Sequence, residues 1–154
     1  MKNKIVALPS FSVIGKEGSS QQGDGFVERL WNEAENHLPE IASAVAYDGL
    51  LPIYWGLMSD FSRSFAPWEN GFKEGLYLAG FQLLDAQLIP PEGWSKWDVP
   101  SQKYYVKTIG DDYASSFQEG LKEIKHLGYA LSGAVFDHEE KGESFLFYPI
   151  DMLS

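Results

Sequence analysis

The chain has 154 residues, of which 44% are hydrophobic and 22% are charged. This balance is typical of one folded domain with a buried core, and it excludes a disordered chain. The formal net charge of −10 repels phosphate backbones, so we expect no direct nucleic-acid binding and a preference for cationic ligands. The absence of cysteine excludes disulfides, thiolate metal sites and a cysteine nucleophile.

The N-terminal segment MKNKIVALPSFSVIG contains only a short apolar run, which Pro9 interrupts. It lacks the apolar core and cleavage site of a signal peptide, and no stretch of the chain reaches membrane-spanning length. We therefore expect a soluble, cytoplasmic protein without a membrane partner. His37, His126 and His138 are far apart in the sequence and form no metal-ligand pair, so neither a metal nor a cofactor is expected.

The first half of the chain predicts a strand, a helix and two further strands. The segment LPSFSVIGKEG at 8–18 predicts a strand that begins at a proline, and Asp24 predicts the N-cap of the helix. Two strand-like runs at 51–60 and 75–86 follow, and the longer segment FSRSFAPWENGFKE joins them. The apolar stripe of the helix consists of Val27, Leu30, Trp31, Ala34 and Leu38.

The second half repeats this order. The segment VPSQKYYVKTIG at 99–110 predicts a strand, a helix begins near Asp111 or Asp112, and Gly128 ends it. Strands at 128–137 and 144–152 follow, with HEEKGE as their hairpin loop. The apolar stripe of this helix consists of Tyr113, Phe117, Leu121 and Ile124.

The order β-α-β-β thus occurs twice, which indicates an internal repeat. We predict an α+β fold in which a tandem β-α-β-β repeat forms a curved antiparallel sheet, with two helices on one face and a ligand cleft on the other. One domain is expected to cover 1–154, with halves of about 1–88 and 97–154. A small protein rarely exposes many large rings without function, so the cleft between the halves is the expected ligand site.

Aromatic residues make up 15% of the chain and are dense in GWSKWDVPSQKYYV at 93–106. We predict that Trp94 and Trp97 lie in a loop directly before a strand that carries Tyr104 and Tyr105. The two tryptophans either cap the core or wall a ligand pocket. Since strand side chains alternate, one of the two tyrosines should pack beneath the helices and the other should face the cleft.

Four segments in order resemble the GyrI-like small-molecule-binding family, which is the effector-binding module of multidrug-responsive and AraC-type regulators and also occurs free-standing. They are YWGLMSD (54–60), YLAGFQ (77–82), PEGWSKWDVPSQKYYV (91–106) and LSGAVFD with FLFYPI (131–150). The resemblance implies a stand-alone protein, because no helix-turn-helix segment precedes Lys4. It also implies a small aromatic or lipophilic ligand.

The segments YWGLMSD and GWSKW are most similar to the free-standing branch of this family. That branch includes hydrolases that detoxify DNA-alkylating natural products by opening a cyclopropane ring. The resemblance therefore implies a hydrolase of cyclopropane-bearing alkylators. Two alternatives remain open: a non-catalytic binder or sensor of lipophilic cationic or aromatic drugs, and a gyrase-protecting interaction protein.

The candidate catalytic residues are Asp137, Glu69 and Glu139. The family often has a glutamate in the GAVFD strand and a tyrosine two residues later, and the matching positions here are Asp137 and Glu139. Residues 137 and 139 share a strand face, so the two carboxylates could enter one cleft and raise the pKa of one of them, as general acid–base catalysis requires. Alternatively, Glu139 simply lies in a solvated hairpin. Glu69 lies in the long segment that could form a lid.

The candidate ligand-binding residues are mostly aromatic. Gln82 is the polar exception in YLAGFQLL, where the family frequently has a glutamate, and we expect it to orient a ligand or a water. The thioether of Met58 suits an adaptable pocket or fills the core. The expected set is Tyr54, Trp55, Met58, Trp68, Tyr77, Gln82, Trp94, Trp97, Tyr104, Tyr105, Phe136 and Tyr148.

Overall fold

Two long helices pack on one face of a curled antiparallel sheet in the computed structural model, which describes residues 4–152. The helices are α1 (Phe26–Asn36), the short α2 (Glu69–Phe72) and α3 (Tyr113–His126). The strands are β1 (Lys4–Leu8), β2 (Phe11–Ser19), β3 (Tyr47–Asp48), β4 (Leu51–Pro52), β5 (Tyr54–Ser59), β6 (Leu76–Gln82), β7 (Ser95–Val99), β8 (Gln102–Thr108), β9 (Tyr129–Leu131), β10 (Phe136–Glu140) and β11 (Glu143–Met152). Within the described residues, the helices lack the length and apolar character needed to cross a membrane.

The main sheet has the order β1-β8-β11-β10-β5-β6-β2-β7, and β9 pairs with β11 beside this path. The order is symmetric about the central pair β10–β5, in which Asp137 lies opposite Gly56 and Glu139 lies opposite Tyr54. The predicted tandem β-α-β-β repeat in a curved antiparallel sheet is therefore confirmed. The repeats also exchange strands, because β1 pairs with β8 and β7 pairs with β2.

Local interactions explain where the two long helices begin. Asp112 caps α3 by accepting a hydrogen bond from the backbone N–H of Ser115 at 3.0 Å. The predicted Asp24 cap of α1 is wrong, because the N-cap position is Gly25, which has a φ of 78° and makes no side-chain hydrogen bond. A glycine tolerates this left-handed conformation, so the chain turns into the helix one residue later than predicted.

Two segments predicted as loops form strands. Residues 95–99, which include Trp97, pair with β2, so only Trp94 lies outside a strand. The predicted hairpin loop HEEKGE is mostly strand, because β10 continues through Glu140 and the turn consists of Lys141 and Gly142 alone. Both turn residues have positive φ, 54° and 78°, as a two-residue hairpin turn requires.

The two faces of the sheet bury separate cores. On the helix face, Leu30 and Ala34 anchor α1, and Phe117 and Ile124 anchor α3. The curled sheet forms a half-barrel, and its concave face encloses a core of large rings. Phe65 closes one end of this half-barrel, with its ring centroid 5.8 Å from that of Trp97 and 5.9 Å from that of Phe136. The other end, around Trp55 and His138, is an open mouth.

Candidate functional site

A cavity of about 320 Å³ lies between α1 and α3, above the central strands. We call it the interhelix cavity. Its aromatic walls are Trp31 on α1, Tyr54 on β5, Tyr77 on β6 and Tyr113 at the start of α3. Asp137 on β10 reaches the same space, because the strand register puts it on the helix face beside Gly56. The cavity therefore places one carboxylate among four rings.

A chain of hydrogen bonds fixes the Asp137 carboxylate. The Tyr77 hydroxyl donates to Oδ2 at 2.7 Å, and the Tyr113 hydroxyl donates to Oδ1 at 2.5 Å. The Trp31 indole N–H in turn donates to the Tyr77 hydroxyl oxygen at 3.1 Å. Each carboxylate oxygen thus has one donor from a different element of the fold, and the orientation of Asp137 depends on β6, α1 and α3 together.

Burial changes the protonation of this cluster. Burial raises the pKa of Asp137 to about 6, although the hydrogen bonds from Tyr113 and Tyr77 oppose the shift. Burial and the neighbouring charge of Asp137 raise the pKa of Tyr77 and that of Tyr113 well above the usual range, so both hydroxyls stay protonated and donate. At neutral pH, Asp137 is therefore an anion with neutral donors around it.

Gly56 makes the contact between Tyr77 and Asp137 possible. A Cβ at this position would lie 1.9 Å from the Tyr77 hydroxyl oxygen and 3.0 Å from the Asp137 Cβ. Any side chain here would therefore push Tyr77 away from the carboxylate. The glycine of YWGLMSD thus serves the site by its lack of a side chain.

The interhelix cavity is electronegative. Glu139, two residues along β10, and Glu35 on α1 line it together with Asp137, and the described residues of its lining include no lysine or arginine. Burial first, and then the charges of Glu35 and Glu139, raise the pKa of Tyr54. The site can therefore attract an organic cation and stack it against the rings.

A smaller, apolar cavity of about 200 Å³ adjoins the interhelix cavity. Its lining includes Met58, Trp68, Phe72 and Phe117, and the adjacent positions Tyr113 and Ala114 on α3 line one cavity each. The Trp68 ring is held by a hydrogen bond from its N–H to the Leu76 carbonyl oxygen at 2.8 Å. Apolar groups of a ligand bound near Asp137 would find further surface here.

The structure distributes the candidate residues over several places. The interhelix cavity receives Tyr54, Tyr77, Asp137 and Glu139. The apolar cavity receives Met58 and Trp68, and the mouth of the half-barrel receives Trp55 and Gln82. Glu69 is exposed on α2 and lines none of these cavities. The remaining six are buried in the core: Trp94, Trp97, Tyr104, Tyr105, Phe136 and Tyr148.

Trp94 and Trp97 brace the fold. The Trp97 N–H donates to Glu17 Oε1 at 2.6 Å, and the Trp94 N–H donates to Glu40 Oε1 at 3.0 Å. The Lys16 ammonium lies 4.1 Å from the centroid of the Trp94 ring. Both rings pack against other side chains of the protein. They line none of the three cavities: the interhelix cavity, the apolar cavity and the mouth.

The alternation of Tyr104 and Tyr105 places them on opposite faces, but neither lines these three cavities. Tyr105 packs beneath α3, and its hydroxyl donates to Glu123 Oε1 at 2.5 Å. Tyr148 lies beside it and donates to the Phe117 carbonyl oxygen at 2.9 Å. Tyr104 is buried in the concave core, and burial raises its pKa to about 12. One of the two tyrosines is predicted to face a ligand cleft, but the core fills that face of the sheet.

Sequence reasoning missed Trp31, Tyr113 and Glu35 as cavity residues. Trp31 and Tyr113 fit the apolar stripes of their helices, and that pattern does not distinguish a cavity wall from the core. Tyr113 is 41% exposed, so its ring lies at the edge of the stripe. An aromatic side chain with a polar tip at the edge of a helix's apolar stripe favours a cavity wall over a core position, and this is the feature by which the sequence could have identified them.

No family model matches the chain. The transcriptional regulator BrlR of Pseudomonas aeruginosa is 31% identical over 129 residues, which cover 77% of this chain. The chain spans 40% of the length of that regulator.

Solved structures share the whole architecture. SAV2435 bound to tetraphenylphosphonium matches with a TM-score of 0.60 at 15% identity, over 98% of this chain and 94% of that chain. The EcmrR C-terminal domain matches with a TM-score of 0.64 at 9% identity, over 99% and 98%. A hydrolase from Listeria innocua matches with a TM-score of 0.58 at 7% identity, over 97% and 92%. These likenesses establish the fold, and the predicted α+β fold with a curved antiparallel sheet is confirmed.

Proposed function

We propose that this chain binds lipophilic organic cations between α1 and α3, as an effector-binding domain of the regulator type. The observation that carries the proposal is Asp137, a carboxylate among four aromatic rings, with no lysine or arginine among the described residues of the cavity lining. Burial of its charge is unfavourable, as its raised pKa shows. A cation with aromatic groups would supply the missing charge and stack on Trp31, Tyr54 and Tyr113.

Two of the matched proteins support this proposal. SAV2435, which has the same fold, was solved with tetraphenylphosphonium, a cation that carries four phenyl rings. BrlR, a transcriptional regulator, matches most of this chain in sequence. Nothing in the described residues argues for the third possibility, a gyrase partner.

A matched pair of probes tests the charge preference. Tetraphenylphosphonium and tetraphenylborate have nearly the same shape and opposite charge, so only the electrostatic contribution differs. We expect saturable quenching of tryptophan fluorescence by the phosphonium at pH 7.5, and binding at least roughly tenfold weaker for the borate, because the lining carries three carboxylates. Equal affinities for the two ions would show that the acids do not select the ligand.

A second candidate function is the hydrolysis of cyclopropane-bearing DNA-alkylating compounds. The observation in its favour is a carboxylate with a pKa of about 6 next to two tyrosine hydroxyls. In this reaction Asp137 or Glu139 takes a proton from water as the water oxygen bonds to the cyclopropane carbon. The ring C–C bond breaks, its electron pair moves into the conjugated carbonyl, and a tyrosine hydroxyl protonates that oxygen before the carboxylic acid reprotonates the tyrosine.

Incubation with a cyclopropane-bearing alkylator tests this second function. Ring opening faster than in buffer, with a loss of rate in Asp137→Asn or Glu139→Gln, would support it. Glu69→Gln is the matched control, because Glu69 is exposed and outside the cavity. A rate equal to that of buffer would reject hydrolysis and leave cation binding as the function to be tested.

A further inference from the structure

The mouth of the half-barrel contains a third cavity, on the face of the sheet opposite Asp137. Its volume is about 250 Å³. Apolar side chains form most of its wall, among them Val6, Leu8, Phe11, Phe145 and Phe147. The polar side chains in this wall include His138 and Gln82. Gln82 lines the mouth but not the interhelix cavity, whereas His138 borders both. The arrangement of these two side chains determines what the mouth can bind.

His138 presents a hydrogen-bond acceptor. Its Nδ1 lies 2.9 Å from the Tyr54 carbonyl oxygen, which can only accept, so Nδ1 carries the proton and Nε2 has a free lone pair. Burial lowers the pKa of His138 to about 4, so the ring is neutral at physiological pH. Glu140 Oε1 is 3.8 Å from Nε2, which is too far for a hydrogen bond. The ring itself is fixed against Trp55, with centroids 4.0 Å apart.

Gln82 presents a hydrogen-bond donor. The Trp55 indole N–H, which can only donate, lies 2.9 Å from Gln82 Oε1. This bond fixes the orientation of the carboxamide and leaves its NH₂ group to donate elsewhere. Trp55 therefore braces both polar groups, His138 by stacking and Gln82 by hydrogen bonding, and all three side chains line the mouth. The described residues contain no fully buried side-chain N or O atom without a partner, and the side chains of His138 and Gln82 both line the mouth.

The charges around the mouth differ from those of the interhelix cavity. Lys4 and Glu140 line it, one of each sign, and its inner polar groups, His138 and Gln82, are neutral. A net charge on the ligand is therefore not favoured. The volume lies just below the range of about 300–1,000 Å³ typical of drug-sized ligands, which suits a molecule of one or two fused rings. The aromatic wall favours a planar ring.

We propose that the mouth of the half-barrel is a second ligand site, for a neutral planar heterocycle that carries a ring N–H and a carbonyl group. The ring N–H donates to His138 Nε2, and the carbonyl accepts from the Gln82 amide. The proposal goes beyond cation binding at Asp137 and does not depend on it, because the two sites lie on opposite faces of β10.

The probe for this site is 2-quinolone, a two-ring cyclic amide, and N-methyl-2-quinolone is its matched control because it lacks the N–H. We expect calorimetry to detect binding of 2-quinolone and a roughly tenfold loss for the N-methyl compound. In the unmodified protein, 2-quinolone but not its N-methyl derivative should shift the ¹⁵N resonance of His138 Nε2. This readout needs no variant and is independent of folding effects.

Two variants locate the site. Gln82→Leu and His138→Phe should each weaken 2-quinolone by roughly fivefold or more, since each removes one hydrogen bond. The same substitutions at exposed positions, Gln87→Leu and His126→Phe, should leave it unchanged. Gln82→Leu should also retain tetraphenylphosphonium binding. Equal binding of the two quinolones, or no binding of 2-quinolone up to its solubility limit, would overturn the proposal whatever the result for cations.

Discussion

Replacement of Asp137 by asparagine is expected to weaken tetraphenylphosphonium binding roughly 10- to 100-fold at pH 7.5, which corresponds to about 1.4–2.7 kcal/mol. Asparagine keeps the shape of the side chain and can still bond to Tyr77 and Tyr113, but it carries no charge. In the unmodified protein the affinity should fall as pH drops through about 6, because the proton and the cation compete for the same carboxylate. The ligand does not titrate, so the variant should show no such fall.

Titrations from pH 5 to pH 8 check both expectations. Asp24→Asn is the matched control, because Asp24 is exposed and does not line the cavity. Circular dichroism spectra and melting temperatures of the variants verify that they are folded. Unchanged affinity in Asp137→Asn, or an affinity for the unmodified protein that is flat down to pH 5, would contradict a cation site at Asp137.

Replacement of Gly56 by alanine should lower the free energy of unfolding by about 2–4 kcal/mol. The new Cβ would lie 1.9 Å from the Tyr77 hydroxyl oxygen, so Tyr77 must move and lose its bond to Asp137. Urea denaturation measures the change. Gly110→Ala is the matched control, because a Cβ there meets only Ser116 Oγ, at an ordinary distance of 3.5 Å.

A second substitution distinguishes the clash from a general effect of alanine on the strand. In Tyr77→Phe, the oxygen nearest to the new Cβ is absent, so Gly56→Ala should cost less in that background than in the unmodified protein. Additive effects of the two substitutions would show that Gly56 does not act through Tyr77. A Gly56→Ala protein as stable as the control would rule out the steric argument itself.

Much of the fold could be predicted because hydrophobic periodicity and the repeat agree along the chain. The errors fall where non-local pairing decides the structure. Residues 95–99 follow a proline- and glycine-rich stretch typical of loops, but β2 supplies a partner 80 or more residues away and makes them a strand. The polar sequence at 138–140 is typical of a hairpin loop. It is a strand with polar side chains on both faces because each face borders a cavity.

The candidate site was predictable only in part. Tyr54, Tyr77 and Asp137 came from strand positions, where alternation limits the possible neighbours to one face. Trp31 and Tyr113 lie on helices, and the direction in which they point depends on how the helices are placed across the sheet. Residue type could not distinguish the cavity residues Trp31 and Tyr113 from the core residues Trp94 and Trp97. Both pairs are aromatic with a polar tip, and both form hydrogen bonds.

The exchange of β1 and β7 between the repeats makes each repeat incomplete as a folding unit. A fragment that ends after β6 would contain β1 without its partner β8, and β2 without its neighbour β7. Such a fragment would expose open strand edges and would recruit a complementary copy through them. The covalent link between the repeats gives the exchanged strands a high effective concentration, so they pair within one chain. Two separate repeats would have to dimerise to form the same strand pairs.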